Sequence, residues 1–200
     1  MVVPAPYQNV SEAEMRRLVV AASIFWVSIS GCMPNTYYSI DDPYAYGLRW
    51  HDRGNYDQAA KYWDPLVENG DCDAEVWVAK LYFLGQGKPQ SNDKALELWH
   101  KAANGNHPKA QAAMGDLCYQ NESVIYIHCV GCTVKKDLVQ AYVWYKLSEK
   151  SARYDAEKGY IESVLKSITL EMSKEQIEAG NKAVAQWQPT PKDCKPRNWW

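Results

Sequence analysis

Residues 74–110 read AEVWVAKLYFLGQGKPQSNDKALELWHKAANGNHPKA, and this stretch decides the fold of the 200-residue chain. Apolar residues recur in it every three or four positions on both sides of a Gly-Gln-Gly turn at 85–87, as they do in two helices joined by a turn. Gly105 and Pro108 then separate the second helix from a further segment of the same kind. The stretch therefore predicts stacked helix pairs.

The spacing of small residues extends this pattern in both directions. Three alanines open helical segments, and each is followed fifteen residues later by another alanine: Ala59 and Ala74, Ala95 and Ala110, Ala141 and Ala156. Ala59 and Ala95 are 36 residues apart, a period typical of helix-pair repeats. We expect the alanines to let neighbouring helices approach while aromatic residues fill the space between pairs.

The motif itself resembles the Sel-one-like repeat of the tetratricopeptide-like family. It is carried by Ala74-x4-Ala79-x2-Tyr82-x2-Gly85-x-Gly87, by Lys94-Ala95-x6-Ala102-Ala103-x-Gly105-x4-Ala110, and by Val134-Lys-Lys-Asp137-Leu-Val-Gln-Ala141-Tyr-Val-Trp144-Tyr-Lys. The resemblance covers roughly residues 44–158. It implies an all-α fold, a short right-handed α-solenoid of about three helix-turn-helix repeats.

The solenoid is expected over residues 44–188. Ala95 to Ala141 is ten residues longer than the regular repeat, which places an insertion near 119–133. Ser173-Lys-Glu-Gln176 is a capping-box pattern, so a capping helix is expected near 173–187. Residues 189–200 are rich in proline and lysine and are expected to form a flexible tail.

The N-terminal region has the features of a bacterial export signal. Arg16 and Arg17 precede a twelve-residue apolar run, which is too short for a membrane-spanning helix, and translation is expected to start at Met15. Ile29-Ser30-Gly31-Cys32 resembles a lipobox, which implies lipidation of Cys32 after removal of residues 1–31 and a tether over 32–43. The protein is then expected in the cell envelope, lipid-anchored at the outer membrane and facing the periplasm. The alternative is an ordinary signal peptide in which Cys32 is incidental.

The composition and motifs of the chain favour binding as its activity. Lysine and arginine total 22 against 24 acidic residues, so nothing favours nucleic acid as a partner, and membrane contact is expected through the lipid anchor alone. The four histidines lack helical metal spacing, and no phosphate-binding loop or nucleophile elbow is present. We therefore expect no catalytic residues, no metal site and no cofactor.

Six cysteines favour an oxidising compartment. Cys118, Cys129 and Cys132 flank or occupy the insertion, and a structural disulfide from Cys118 to Cys129 or Cys132 is the favoured interpretation. A zinc site that includes His128 and a redox-active Cys129-x-x-Cys132 pair are the alternatives. The odd cysteine is then Cys72 or Cys194, unless these two pair with each other.

Some apolar residues are candidates for partner binding. Trp77 and Leu81 form a stripe on the first helix of the second repeat, and Trp50 lies in the first helix of the chain. In the insertion, Tyr126 and His128 are further candidates. Packing of these aromatic residues into neighbouring helix pairs is the alternative.

These features together predict a non-catalytic, periplasm-facing lipoprotein that binds another protein. The family resemblance and the predicted location in the cell envelope suggest an immunity protein that neutralises an effector of type VI secretion, such as a phospholipase. An envelope scaffold or assembly adaptor for secretion, motility or cell-wall machinery is the alternative. A thiol-active envelope protein is a third class, which requires Cys129 and Cys132 to cycle.

Overall fold

The computed structural model describes residues 42–119, 135–152 and 154–190. Within these ranges it contains eight helices and no strand, which confirms the all-α prediction. The helices are α1 Pro43–Asp52, α2 Tyr56–Glu68, α3 Cys72–Leu84, α4 Asn92–Asn104, α5 Pro108–Tyr119, α6 Leu138–Ser151, α7 Asp155–Glu171 and α8 Lys174–Gln186.

Side-chain caps determine where most of the helices begin. An oxygen of the residue before the helix accepts a hydrogen bond from a backbone N–H of the first turn at five helices: Asp42, Asn55, Asp71, Ser91 and Asp137. α8 begins with the predicted capping box, in which the Ser173 hydroxyl accepts from the N–H of Gln176 and the Gln176 side chain accepts from the N–H of Ser173. Each cap satisfies a donor that the helix leaves without an intrahelical acceptor.

The turn after α3 depends on glycine for two reasons. Gly85 and Gly87 have φ values of +67° and +65°, in the left-handed region. A Cβ atom on Gly87 would also overlap the backbone of Tyr56 and Asp57 at the start of α2. The Gly-Gln-Gly pattern is thus required for α3 to end against the preceding pair.

The helices pack in chain order, each against the next from α1 to α7, and α8 packs beside α6. Five of the six repeat alanines have no exposed surface, as their spacing predicted: Ala59, Ala74, Ala95, Ala110 and Ala141. The sixth, Ala156, is exposed at the start of α7. At this point the regular stacking ends, because α8 packs on α6 instead of extending the stack beyond α7.

The C-terminal helices extend the fold beyond the predicted repeats. α7 is longer than the sequence pattern indicated, and it buries Ile161, Val164 and Ile168 in the main core. α8 lies within the predicted limits of the capping helix. A Cβ atom on Gly180 would lie 2.6 Å from Cδ1 of Tyr142, so this glycine lets α8 approach α6 closely.

Several predicted regions lie outside the described residues. They are the signal peptide at 1–31, the tether at 32–43 except its last two residues, nearly all of the insertion at 119–133, and residues 191–200 of the tail. Among the described helices, none is long and apolar enough to cross a membrane. Thr190, in the segment expected to be flexible, donates its backbone N–H to the Asn104 carbonyl at 2.8 Å and its hydroxyl to the same oxygen at 3.3 Å.

Candidate functional site

A cavity of about 230 Å³ opens between α5 and α7. Its wall is mostly apolar and includes Ala112, Ala113 and Ile161. Ser148 of α6 contributes a hydroxyl that already donates to the carbonyl of Pro108 at 2.9 Å. The cavity therefore combines the apolar surface and small polar component that are typical of binding pockets.

Asp116 places a buried carboxylate in this cavity. Its Oδ1 atom accepts hydrogen bonds from the hydroxyl of Tyr145 on α6 and from that of Tyr160 on α7, the second at 2.9 Å. Asp116 is only 9% exposed, and the Tyr145 side chain is fully buried. The three side chains thus connect three helices and orient the carboxylate.

Burial and hydrogen bonding have opposite effects on the pKa of Asp116. Burial is the larger effect and raises it, whereas the two tyrosine hydroxyls stabilise the charged form and lower it. The pKa values of Tyr145 and Tyr160 are both raised far above the ordinary range by burial and by the nearby carboxylate. Both hydroxyls therefore stay protonated at neutral pH and act as donors to Asp116.

One ion pair lies at the edge of the cavity. Lys109 Nζ is 3.6 Å from Glu157 Oε1, and the lysine side chain is 58% exposed. Lys109 thus pairs with Glu157, whereas the hydrogen-bond donors to Asp116 are the two tyrosine hydroxyls and not a basic side chain. The site therefore suits a cationic group on an apolar stem, whose methylenes would contact the alanines.

Trp77 is held within the fold rather than presented to a partner. Its Nε1 donates to the hydroxyl of Tyr44 at 2.7 Å, and its ring stacks on Trp63 with centroids 5.4 Å apart. His51 meets the same ring edge-on at 4.6 Å. These contacts join α3 to α1 and α2 and favour the packing alternative for Trp77.

Leu81 has no exposed surface, so the prediction that it contacts a partner is wrong. The reason is that α3 packs against α2 on one side and α4 on the other, and this packing covers Leu81. Trp50 is half-buried, with the Arg53 guanidinium 5.5 Å from its ring centroid. Tyr126 and His128 lie outside the described residues.

The cysteines differ from the favoured prediction. Cys118 lies in the hydrophobic core, where it is only 6% exposed. Its thiol is free, so it does not form the expected disulfide with Cys129 or Cys132. Burial and the charge of Asp137 raise the pKa of its thiol to about 11. Cys72, in contrast, is disulfide-bonded. Cys32, Cys129, Cys132 and Cys194 lie outside the described residues.

Two polar pairs, each with a buried carboxylate, connect neighbouring helices. His107 Nε2 lies 3.3 Å from Asp73 Oδ1, and Lys101 Nζ lies 2.7 Å from Glu75 Oε1. Both pairs connect the start of α3 to the end of α4 or the start of α5. The described residues contain no group of three side chains that could hold a metal ion.

Asp116, Glu157 and Tyr160 were not predicted as site residues. The one signal in the sequence is an acidic residue at 116 among the buried apolar positions Met114 and Leu117 of α5. The tyrosines that bind Asp116 are 29 and 44 residues away along the chain, so no local sequence pattern indicates them.

The Sel1 repeat family matches residues 44–71, 72–107 and 108–150, which together exceed half of the chain. The chain belongs to the Sel1 repeat family. The first matched segment contains α1 and α2, the second α3 and α4, and the third α5 and α6. Each Sel1 repeat is thus one helix pair, and the cavity lies between the third repeat and α7.

Solved structures with the same fold include a protective antigen present in uropathogenic Escherichia coli strains, which displays an SLR fold. It matches with a TM-score of 0.60 and 15% identity, over 76% of this chain and 31% of that one. A Sel1 repeat protein from Oxalobacter formigenes matches with a TM-score of 0.44 and 20% identity, over 70% of this chain and 54% of that one. This chain therefore spans about a third of the first relative and half of the second.

Sel1 repeat proteins generally mediate protein–protein interactions and are typically non-catalytic scaffolds. The family assignment therefore fits a cavity whose residues offer binding contacts.

Proposed function

We propose that this protein is a lipid-anchored, periplasm-facing binding protein, and that its cavity between α5 and α7 takes a lysine or arginine side chain of a partner protein. The observation that carries the proposal is Asp116, a buried carboxylate held by two tyrosine hydroxyls beside an apolar wall. A basic side chain supplies both the charge for Asp116 and the methylenes for that wall.

The partner that we propose is a secreted antibacterial effector, such as a phospholipase delivered by type VI secretion, with this chain as its immunity protein. Occlusion of the effector's active site or membrane-facing surface requires a preformed binding surface and no catalysis. The disulfide at Cys72 supports residence in an oxidising compartment, where such an effector would act. The lipobox-like Ile29–Cys32 segment supports the membrane anchor.

The experiment uses the full chain as bait against the secreted and envelope fractions of its own organism. We expect a stoichiometric complex with a secreted hydrolase whose activity falls on binding. Recovery of resident envelope machinery without a hydrolase would instead establish the scaffold or assembly adaptor. The captured partner is then purified for binding measurements.

Paired variants test whether the cavity is the binding site. Ala112→Trp fills the cavity, and we expect the affinity for the captured partner to fall at least about tenfold, the loss typical of an interface hot spot. Ala185→Trp is the matched control, because Ala185 lines a separate cavity between α6 and α8. Equal affinities for the two variants would show that the partner binds elsewhere.

A further inference from the structure

Asp116 offers a ligand one of its two carboxylate oxygens. The hydroxyls of Tyr145 and Tyr160 both donate to Oδ1, and within the described residues no hydrogen bond reaches Oδ2. We propose that the cavity between α5 and α7 selects a lysine side chain of the partner over an arginine side chain, because Oδ2 alone is left to accept from it. This inference rests on the proposed function and adds the specificity of the site.

The two tyrosines use the accepting capacity of Oδ1. A carboxylate oxygen has two lone pairs, and each of the two hydroxyls donates one hydrogen bond to this atom. Tyr145 cannot turn away, since its ring is fully buried and lies against Gly115. Asp116 lines the cavity. A ligand there therefore meets a carboxylate with one oxygen occupied and one open.

An arginine side chain is poorly matched to this carboxylate. A guanidinium group binds a carboxylate best through two parallel hydrogen bonds, one to each oxygen. At Asp116 the N–H that points to Oδ1 would find the lone pairs of that oxygen taken by the tyrosines. A buried donor without an acceptor weakens binding, and we expect this to cost about tenfold or more in affinity.

A lysine side chain needs only one carboxylate oxygen. Its ammonium group is a compact charge with three N–H donors, one of which can donate to Oδ2 of Asp116. Ser148 Oγ is a second acceptor in the cavity wall. The Ser148 hydroxyl gives its own hydrogen to the Pro108 carbonyl at 2.9 Å, so its lone pairs remain available. The methylenes of the lysine stem would contact the apolar part of the wall.

The lysine that belongs to the cavity wall does not neutralise Asp116. Lys109 pairs instead with Glu157, with 3.6 Å between Nζ and Oε1. The two donors to Asp116 are neutral hydroxyls, so no basic side chain of the described residues pairs with this carboxylate. An ammonium group from the partner would therefore bring the positive charge that the carboxylate lacks.

Blocked amino acids test the selectivity on the full chain without the partner. The probes are the N-acetyl, N-methylamide derivatives of lysine, arginine and norleucine, and NMR chemical-shift titrations give their dissociation constants. We expect the lysine derivative to bind at least about tenfold more tightly than the other two, and Ala112→Trp to abolish its binding. The inference would be overturned by equal or tighter binding of the arginine derivative, by binding of none of the probes, or by lysine binding that survives Ala112→Trp.

Two tyrosine variants test why lysine is preferred. Tyr160→Phe frees a lone pair of Oδ1 for a guanidinium group, so the preference for lysine should fall to about threefold or less. Tyr154→Phe is the matched control, because Tyr154 is 46% exposed, against 42% for Tyr160, and lies outside the cavity wall. This control should keep the full preference. An unchanged preference in Tyr160→Phe would contradict the role given to Oδ1.

These results are separable from those that test the proposed function. The probe titrations need no partner, so capture of resident envelope machinery in place of a secreted hydrolase would leave the lysine selectivity intact. A captured hydrolase, together with equal affinities for the lysine and arginine probes, would leave the immunity function standing and overturn only the selectivity.

Discussion

Gly115→Ala tests whether α5 and α6 are packed at a distance that only glycine permits. A Cβ atom on Gly115 would lie 2.8 Å from both Cδ2 and Cε2 of Tyr145. Carbon atoms pack best about 3.5–4.0 Å apart, so the methyl group would overlap the ring by about 1 Å. The ring has little freedom to move, since it is fully buried and its hydroxyl donates to Asp116.

The expected effect is a net loss of stability. Overpacking of a core costs about 1–3 kcal/mol, whereas alanine in place of a helical glycine regains up to about 1 kcal/mol. We therefore expect Gly115→Ala to lower the free energy of unfolding by about 1–2 kcal/mol and Tm by roughly 2–8 °C. Urea and thermal unfolding followed by far-UV circular dichroism measure both quantities with the disulfide intact.

Gly159→Ala is the matched control. Gly159 is an exposed residue inside α7, and a Cβ atom there would meet nothing within 4 Å. The substitution should raise Tm by roughly 1–4 °C, because only the helix propensity changes. If Gly115→Ala raised Tm by a similar amount, the close α5–α6 contact would be refuted.

Three further predictions concern the site, the free thiol and the aromatic cluster. Burial raises the folded-state pKa of Asp116, so the cost of its charge is present above that pKa and is lost as the pH falls below it. Tyr145→Phe removes a hydrogen-bond donor that offsets this cost. In urea titrations the variant should have a free energy of unfolding about 1–2 kcal/mol below that of the wild type at pH 7, and this difference should shrink in acid. A difference that does not change with pH would contradict the prediction. Cys118, with a pKa of about 11, should resist iodoacetamide at pH 8 until denaturant is added, as mass spectrometry of the alkylated site would show; equal rates with and without denaturant would argue against burial. Trp77→Ala should cost about 2–4 kcal/mol in urea unfolding and leave the affinity of the folded protein for its partner unchanged; a stable variant that has lost its partner would restore Trp77 as a binding residue.

The regular part of the fold was predictable because its signals are local or periodic. Alanine recurs at regular intervals where helices pack closely, and five of the six repeat alanines are fully buried. The capping box at Ser173 and the positive φ values of Gly85 and Gly87 are determined within a few residues of their own positions. α7 was incompletely predicted because it lies beyond the repeats that carry the motif.

The candidate site was not predictable because its parts come from distant positions. An isolated aspartate on α5 has no local reason to meet tyrosines of α6 and α7, and only the packing of the three helices brings Asp116, Tyr145 and Tyr160 together. The same holds for Leu81, whose apolar stripe could face a partner or a neighbouring helix. Its sequence surroundings are the same in both cases.

The sequence by itself determined that this chain forms helix pairs and where most of them begin, since helical periodicity, caps and glycine turns are properties of neighbouring residues. The tertiary structure decided which polar side chains are buried together, which thiol is free and which is bonded, and which apolar stripe stays covered. Those outcomes depend on distances between residues far apart in the chain, and packing alone sets these distances.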